Sequence, residues 1–293
     1  MSKDNPIIYF SVIIPLYNKE KSVTSTVESV LNQTYPHFEL IIVNDGSTDN
    51  SLEVVQQFDD PRIRIIDKEN GGVSSARNVG IRAAKYEYVI PLDADDLWLP
   101  FALAEFEELI RNYQQAQVFC TGSCISEKQF KGFNKKYYVE DYFYVSAVLL
   151  AKYGTPLMVT GSVAVKRTCF DLVGNYDENV QHGEDIDLWL RLNANCRIAK
   201  SELVTMIYRL NSENRASFVP EDKKKFKNNS SKTQYSGISK SFNLFQGCND
   251  LMRLFSERNI LKSFKLVVSD KINLYWVLRA ALLYMQHRIF KKI

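Results

Sequence analysis

The chain lacks an opening apolar stretch of the kind that directs secretion. It begins Met1-Ser2-Lys3-Asp4-Asn5-Pro6, with no basic region joined to an apolar run and a small-residue cleavage site, so a cytoplasmic protein is expected. A run of bilayer length is also missing, because residues 272–285 are too few and are broken by Arg279. Cysteine is scarce. Cys120, Cys124, Cys169, Cys196 and Cys248 are odd in number and scattered, which favours reduced thiols over a disulfide framework. Cys120 and Cys124 form a CxxxC pair, but no second Cys/His pair follows at ligand spacing, so they read as small buried residues of a strand and not as a zinc site. Internal repeats are absent. What remains is an ordinary folded composition: 293 residues, 45% apolar, 12% aromatic and 24% charged, enough for one large core or a core with an appendage.

The net charge of +3 hides an asymmetry. From Phe218 onward there are 15 Lys/Arg against 5 Asp/Glu, which leaves 22 of the 37 basic and 29 of the 34 acidic residues in positions 1–217. The body is therefore acidic at −7 and the tail basic at +10. An acidic body suits a divalent cation or cationic partners, and a basic tail suits an anionic surface. The predicted domains are accordingly 1–217 and a basic, mainly helical extension over 218–293.

Along the body, short Val/Ile-rich runs alternate with helical patterns. Strands are predicted at 10–14 (stopped by Pro15), 39–43, 62–66, 86–92 and 117–120, with helices at 19–33, 51–58, 74–84 and 100–114 between them. Near-continuous apolar strands alternating with helices imply an α/β fold with a mainly parallel sheet covered on both faces. Residues 127–144, rich in Lys, Phe and Tyr without a clean period, read as a loop over an acceptor site. The pattern resumes at 159–165, turns at Gly174-Asn175-Tyr176-Asp177, continues in a helix from near Gly183, and ends in two short strands at 196–199 and 203–210. Residues 223–241 read as a linker, and an amphipathic helical stripe runs from Leu261 to Ile289.

In open parallel sheets, ligands sit beyond the carboxyl ends of the strands, which selects the loops 15–19, 44–50 and 93–96. Asp93-Ala94-Asp95-Asp96 directly follows a strand, and carboxylates at i and i+2 there can converge on one hard cation. The plain alternative makes Asp96 a cap for the following helix. In Asn44-Asp45-Gly46-Ser47-Thr48-Asp49, Gly46 permits a tight turn, Asp45 can accept from a base or ribose, and Ser47 and Asp49 can cap the next helix. Asn70-Gly71-Gly72 opens a helix whose N-terminus suits a phosphate. Arg77, four residues from both Val73 and Ile81, puts a guanidinium beside an apolar stripe. It needs a partner, either a nucleotide or an internal aspartate. At Gly183-Glu184-Asp185, helical spacing places Asp185 with Leu188, Trp189 and Leu192, toward the core, and Glu184 with Asp187 and Arg191. Asp185 can then act as a general base or complement the helix dipole. His182 reads as a loop residue beside it.

In order along about residues 9–217, these pieces resemble family 2 inverting glycosyltransferases of GT-A fold, of the bacterial surface-polysaccharide type. The matching segments are Ser11-Val12-Ile13-Ile14-Pro15-Leu16-Tyr17-Asn18, Ser29-Val30-Leu31-Asn32-Gln33-Thr34, Asn44-Asp45-Gly46-Ser47, Ser75-Ala76-Arg77-Asn78, Asp93 to Asp96, and Glu184-Asp185. The resemblance implies a Rossmann-like GT-A domain that moves a hexosyl or N-acetylhexosaminyl group from a nucleotide-diphosphate donor, a UDP-sugar, to a hydroxyl of a glycan or lipid-linked acceptor. It implies Mn2+ or Mg2+ at Asp95, donor contacts from Pro15, Tyr17, Asp45, Arg77 and Asp93, and Asp185 as base. Glu184, His182 and Asn78 would stand behind these or face the acceptor. Two departures stand out. Asn44 replaces a second Asp, and Leu210-Asn211-Ser212-Glu213-Asn214-Arg215-Ala216-Ser217 stands where the family often carries a His.

Two other readings stay open. Nucleotidyl transfer onto a sugar phosphate would call for a Gly-rich phosphate loop, which Tyr17-Asn18-Lys19-Glu20 is not. A non-catalytic scaffold would use the basic tail, whose apolar stripe points to the inner membrane face, a partner helix or a homodimer and not to nucleic acid.

Overall fold

The computed structural model describes residues 6–124, 137–139, 158–180 and 183–214. These belong to one compact unit, Met1–Ser146 with Thr155–Lys225; the second unit, Ala147–Gly154 with Phe226–Ile293, lies outside the described residues. So do the predicted linker, the amphipathic tail, Cys248 and His182.

The unit is built on a nine-stranded sheet in the order β3-β2-β1-β4-β8-β6-β9-β5, with β7 also paired to β9. The strands are β1 (Phe10–Leu16), β2 (Phe38–Asp45), β3 (Ile63–Lys68), β4 (Tyr88–Pro91), β5 (Leu97–Trp98), β6 (Val118–Cys124), β7 (Tyr137–Val139), β8 (Val163–Lys166) and β9 (Ile198–Ile207). The helices are α1 (Val23–Leu31), α2 (Ser51–Gln56), α3 (Val73–Ala83), α4 (Ala102–Asn112), α5 (Thr168–Val173) and α6 (Glu184–Asn195). The half containing β3, β2, β1 and β4 is parallel, as expected. Beyond β4 the sheet is mixed: β8 runs antiparallel to both β4 and β6, and β9 is parallel to β6.

β1 and β2 are buried along their whole length, which explains their unbroken apolar character. Alternation in β1 sends Phe10, Val12, Ile14 and Leu16 into a core shared with α1 and α4, and Ile13 into a second core with α3 and α6. Both faces are therefore covered. Gly80 lets α3 seat directly on β1, since a Cβ there would lie 2.3 Å from Ile13 Cγ2.

Several boundaries differ from the sequence reading. β1 continues through Pro15, which the sequence took as its stop; the ladder to β4 has already ended at Ile13↔Pro91, so a residue without an N–H is tolerated there. The two short strands at 196–199 and 203–210 are one strand, β9. Its Ser201 and Thr205 are fully buried, and Thr205 Oγ1 lies 2.6 Å from Thr121 Oγ1. Part of the predicted acceptor loop is strand β7. Of the 159–165 run, only the end is strand, because Gly161 turns the chain at φ +92° and gives its carbonyl to Trp98 Nε1 at 2.7 Å. Cys120, Cys124, Cys169 and Cys196 are free thiols, the first three buried. Among the described residues no helix is long and apolar enough to cross a membrane.

Candidate active site

A cavity of about 560 Å³ opens at the carboxyl ends of β1, β2 and β4, where the strand-end rule places ligands. Pro15 lies within β1 near its end, Tyr17 and Lys19 follow that strand, Asp45 ends β2, Asp93 and Asp95 follow β4, and Gly183, Glu184 and Asp185 stand at the start of α6. Arg77 on α3 forms part of the wall, as do Tyr208 and Asn214. The cavity thus gathers Pro15, Tyr17, Asp45, Arg77, Asp93, Asp95, Glu184 and Asp185.

Asp45 is 2% exposed, and its carboxylate accepts the backbone N–H of Gly71 at 3.0 Å and of Gly72 at 2.8 Å, as well as Lys68 Nζ at 2.5 Å. The anion at the start of α3 is therefore a side chain of the protein, where the sequence suggested a phosphate. Asn44 completes the turn by donating to Asp67 Oδ1 at 2.7 Å and accepting from Ser47 N. The N-cap of α2 is Asn50; Asp49 just before it accepts the N–H of Ser51 and of Glu20, and Ser47 Oγ accepts the Asn18 N–H instead of capping the helix.

Arg77 finds its partners within the protein. It is 3% exposed, with Nη2 2.6 Å from Asp93 Oδ1, Nη1 2.8 Å from Glu184 Oε1, and the guanidinium 5.1 Å from the Tyr176 ring centroid. Burial pulls its proton affinity down, but Asp93 first, then Tyr176 and Glu184, more than offset this, so it stays charged. Asn78 holds the turn at 176–178: it donates to the Tyr176 carbonyl and Glu178 and accepts from the Tyr176 N–H.

Helical facing does not separate Glu184 from Asp185 as the sequence suggested. Arg191, on the Glu184 face, is itself buried, bound to Asp187 at 2.6 Å and to the carbonyls of Val173, Gly174 and Asn175. Both acidic residues line the cavity, and what distinguishes them is their partners. Glu184 has Arg77; among the described residues Asp185 has no cation and accepts only the Ile186 N–H, at 2.8 Å. Burial and then Glu184 push the Asp185 carboxyl above its ordinary range, with Arg77 pulling the other way.

At the acidic turn, Asp95 Oδ2 accepts Lys19 Nζ at 2.6 Å and Ser212 Oγ at 2.5 Å. Asp96 does not cap α4. It is 1% exposed, Oδ1 accepts the Arg209 N–H, and Oδ2 has no partner; burial, then Asp93 and Asp95, push its carboxyl up to about 9. Among the described residues no three His, Cys, Asp or Glu side chains form a metal cage. Magnesium or manganese needs no such cage, taking one or two carboxylates and completing its shell with phosphate and water. The crowding of carboxylates at this turn and the hard-oxygen character of Asp95, which lines the cavity, fit such an ion. Lys19, Ser212, Tyr208 and Asn214 carried no sequence motif; only Lys19 lay in a loop that the strand-end rule had selected.

Known proteins share parts of this sequence and its fold. The chain is 47% identical over 90 residues to glycosyltransferase GlyG of Streptococcus pneumoniae serotype 4 (strain ATCC BAA-334 / TIGR4), a match covering 30% of this chain and 30% of that protein. The chain thus spans under a third of that relative's length. Its fold is that of Staphylococcus aureus TarS residues 1–349, solved with UDP-GlcNAc, at a TM-score of 0.59 and 21% identity over 73% of this chain and 62% of that one. The mannosyltransferase PcManGT of Pyrobaculum calidifontis, solved with GDP-Man and Mn2+, aligns at a TM-score of 0.54 and 18% identity over 94% and 73%. The GT-A type of fold expected from the sequence is therefore present. A sequence profile described as glycosyl transferase family 2 matches residues 11–173, over half of the 293 and most of the residues that line the cavity, and the chain belongs to glycosyl transferase family 2.

Proposed function

We propose that the protein transfers a sugar from a nucleotide-diphosphate donor to a hydroxyl of a glycan or lipid-linked acceptor, with inversion, and that Asp185 is the base. The observation that carries this is the cation census of the cavity. Asp45, Asp93, Asp95 and Glu184 each hold a Lys or Arg, whereas Asp185, alone among the described cavity carboxylates, does not. A carboxylate bound to a cation is a poor proton acceptor; one that is half-buried and raised in proton affinity is a good one.

In the reaction, the acceptor oxygen attacks the anomeric carbon as its proton passes to Asp185. The C–O bond to the diphosphate breaks on the opposite side, its electron pair leaving with the nucleoside diphosphate. Pro15 and Tyr17 border the nucleoside, Asp45 and Asp93 meet base and ribose, and Arg77 fixes Asp93 relative to Glu184. Asp95 would hold Mn2+ or Mg2+, which supplies positive charge to the leaving diphosphate. UDP as nucleotide and a divalent ion are supported by the complexes of TarS and PcManGT. Contact of residues 218–293 with the inner membrane face is supported by their net +10.

The test is Asp185→Asn, which preserves shape and removes the base. UDP binding measured by calorimetry should stay within about twofold while transfer falls about 10²- to 10⁴-fold. Transfer retained at the wild-type rate removes Asp185 from the mechanism.

A further inference from the structure

Lys19 follows the end of β1 and turns its ammonium inward, leaving it 9% exposed. Nζ lies 2.6 Å from Asp95 Oδ2 and 2.5 Å from the Glu213 carbonyl oxygen. The same Asp95 oxygen accepts Ser212 Oγ, and the Asp95 carbonyl accepts Arg209 Nε. Glu213 Oε1 in turn accepts the N–H groups of Lys21 and Ser22, each at 2.9 Å, and the Ser22 hydroxyl at 3.0 Å. Residues 209–214 are thus fastened both to the acidic turn and to the entry of α1, and Lys19 is the pin common to both.

An ammonium and a hard divalent cation compete for the same carboxylate oxygen, because each must approach it within bonding distance and they repel one another. Resting on the reading of Asp95 as the metal carboxylate, we propose that Lys19 is its resident counter-ion. Lys19 keeps Asp95 neutralised and segment 209–214 seated, and it yields Oδ2 when a divalent cation enters with the diphosphate. Metal loading and release of the segment are then one exchange.

The experiment titrates Mn2+ into the full chain with UDP present, reading free Mn2+ by electron paramagnetic resonance, for wild type, Lys19→Gln, Lys19→Arg, Ser212→Ala and Asp95→Asn. Because this competing pair is largely buried, its removal should tighten Mn2+ binding in Lys19→Gln by at least about fivefold, more than a surface pair would give. Ser212→Ala should shift binding the same way by less, and Lys19→Arg should bring no tightening. Hydrogen exchange at the Lys21 and Ser22 amides should quicken in wild type when Mn2+ and UDP are added, and should already be fast in Lys19→Gln. Unchanged or weaker Mn2+ binding in Lys19→Gln, with Asp95→Asn still abolishing the site, overturns the counter-ion role alone. Wild-type Mn2+ binding by Asp95→Asn overturns the metal role of Asp95 and this proposal with it, so the two failures are told apart.

Discussion

Replacing Arg77 by Leu tests whether the site is held together by charge. The guanidinium is 3% exposed and bonds Asp93 at 2.6 Å and Glu184 at 2.8 Å, so its loss strands two carboxylates at once. Breaking a buried pair costs about 3–5 kcal/mol. With Asp93 29% and Glu184 14% exposed, water offsets part of this, and the low end, about 3 kcal/mol, is expected. That corresponds to a fall in melting temperature of roughly 6–12 °C. Urea and thermal unfolding at about pH 7.5 and about pH 5 measure it. Protonation of a stranded carboxylate removes the uncompensated charge, so the deficit should shrink at the lower pH. Adding Glu184→Leu should recover part of the loss. The kinetic effect has a definite sign. As the proposed base Asp185 works deprotonated, Arg77 is among the groups that lower its proton affinity, and removing Arg77 should move the acid limb of kcat/KM to higher pH. A deficit below about 1 kcal/mol that does not change with pH would refute this account of the Arg77 charge.

Gly80→Ala should destabilise by about 1–3 kcal/mol in urea, since its Cβ would meet the fully buried Ile13 at 2.3 Å, while UDP binding by the folded fraction is unchanged. A melting temperature equal to wild type would show that α3 does not need that close approach. Asp96→Asn should flatten the pH dependence of stability in a chelating buffer. The folded Asp96 carboxyl titrates near about 9 and an unfolded one near about 3.9, so the folded state holds an extra proton across that window and wild-type stability falls as pH rises through it. The Asn variant, which keeps an acceptor for the Arg209 N–H, should gain on wild type between about pH 5 and pH 8.5; parallel profiles would refute it.

The parallel half of the fold was legible because strands buried on both faces read as unbroken runs such as 39–43, and because each is followed by a helix. Legibility stopped where a strand's interior is polar or its length falls below any period. Lys200, Ser201 and Glu202 split β9 into two in the sequence, although Lys200 and Ser201 are buried within the sheet. Strand β5 has only two residues and exists through its pairing with Met206 and Ile207. Neither signal is local, so neither can be read from a window of sequence.

The site divides in the same way. Strand-end geometry located the carboxylates, because a residue's place after a strand is a local fact. Which of them is free to take a proton is not local. Asp45 meets Lys68 from 23 positions away, Asp95 meets Lys19 from 76, and Glu184 meets Arg77 from 107. Five carboxylates line the cavity and three cations pair with them, so with Asp185 ionised the described site carries two excess negative charges. A diphosphate entering such a cavity would be repelled unless it brought a cation of its own. In the proposed reaction the base and the divalent ion are therefore two faces of one charge balance. The cation shortage that leaves Asp185 free to accept a proton is the same shortage that an incoming metal would make good.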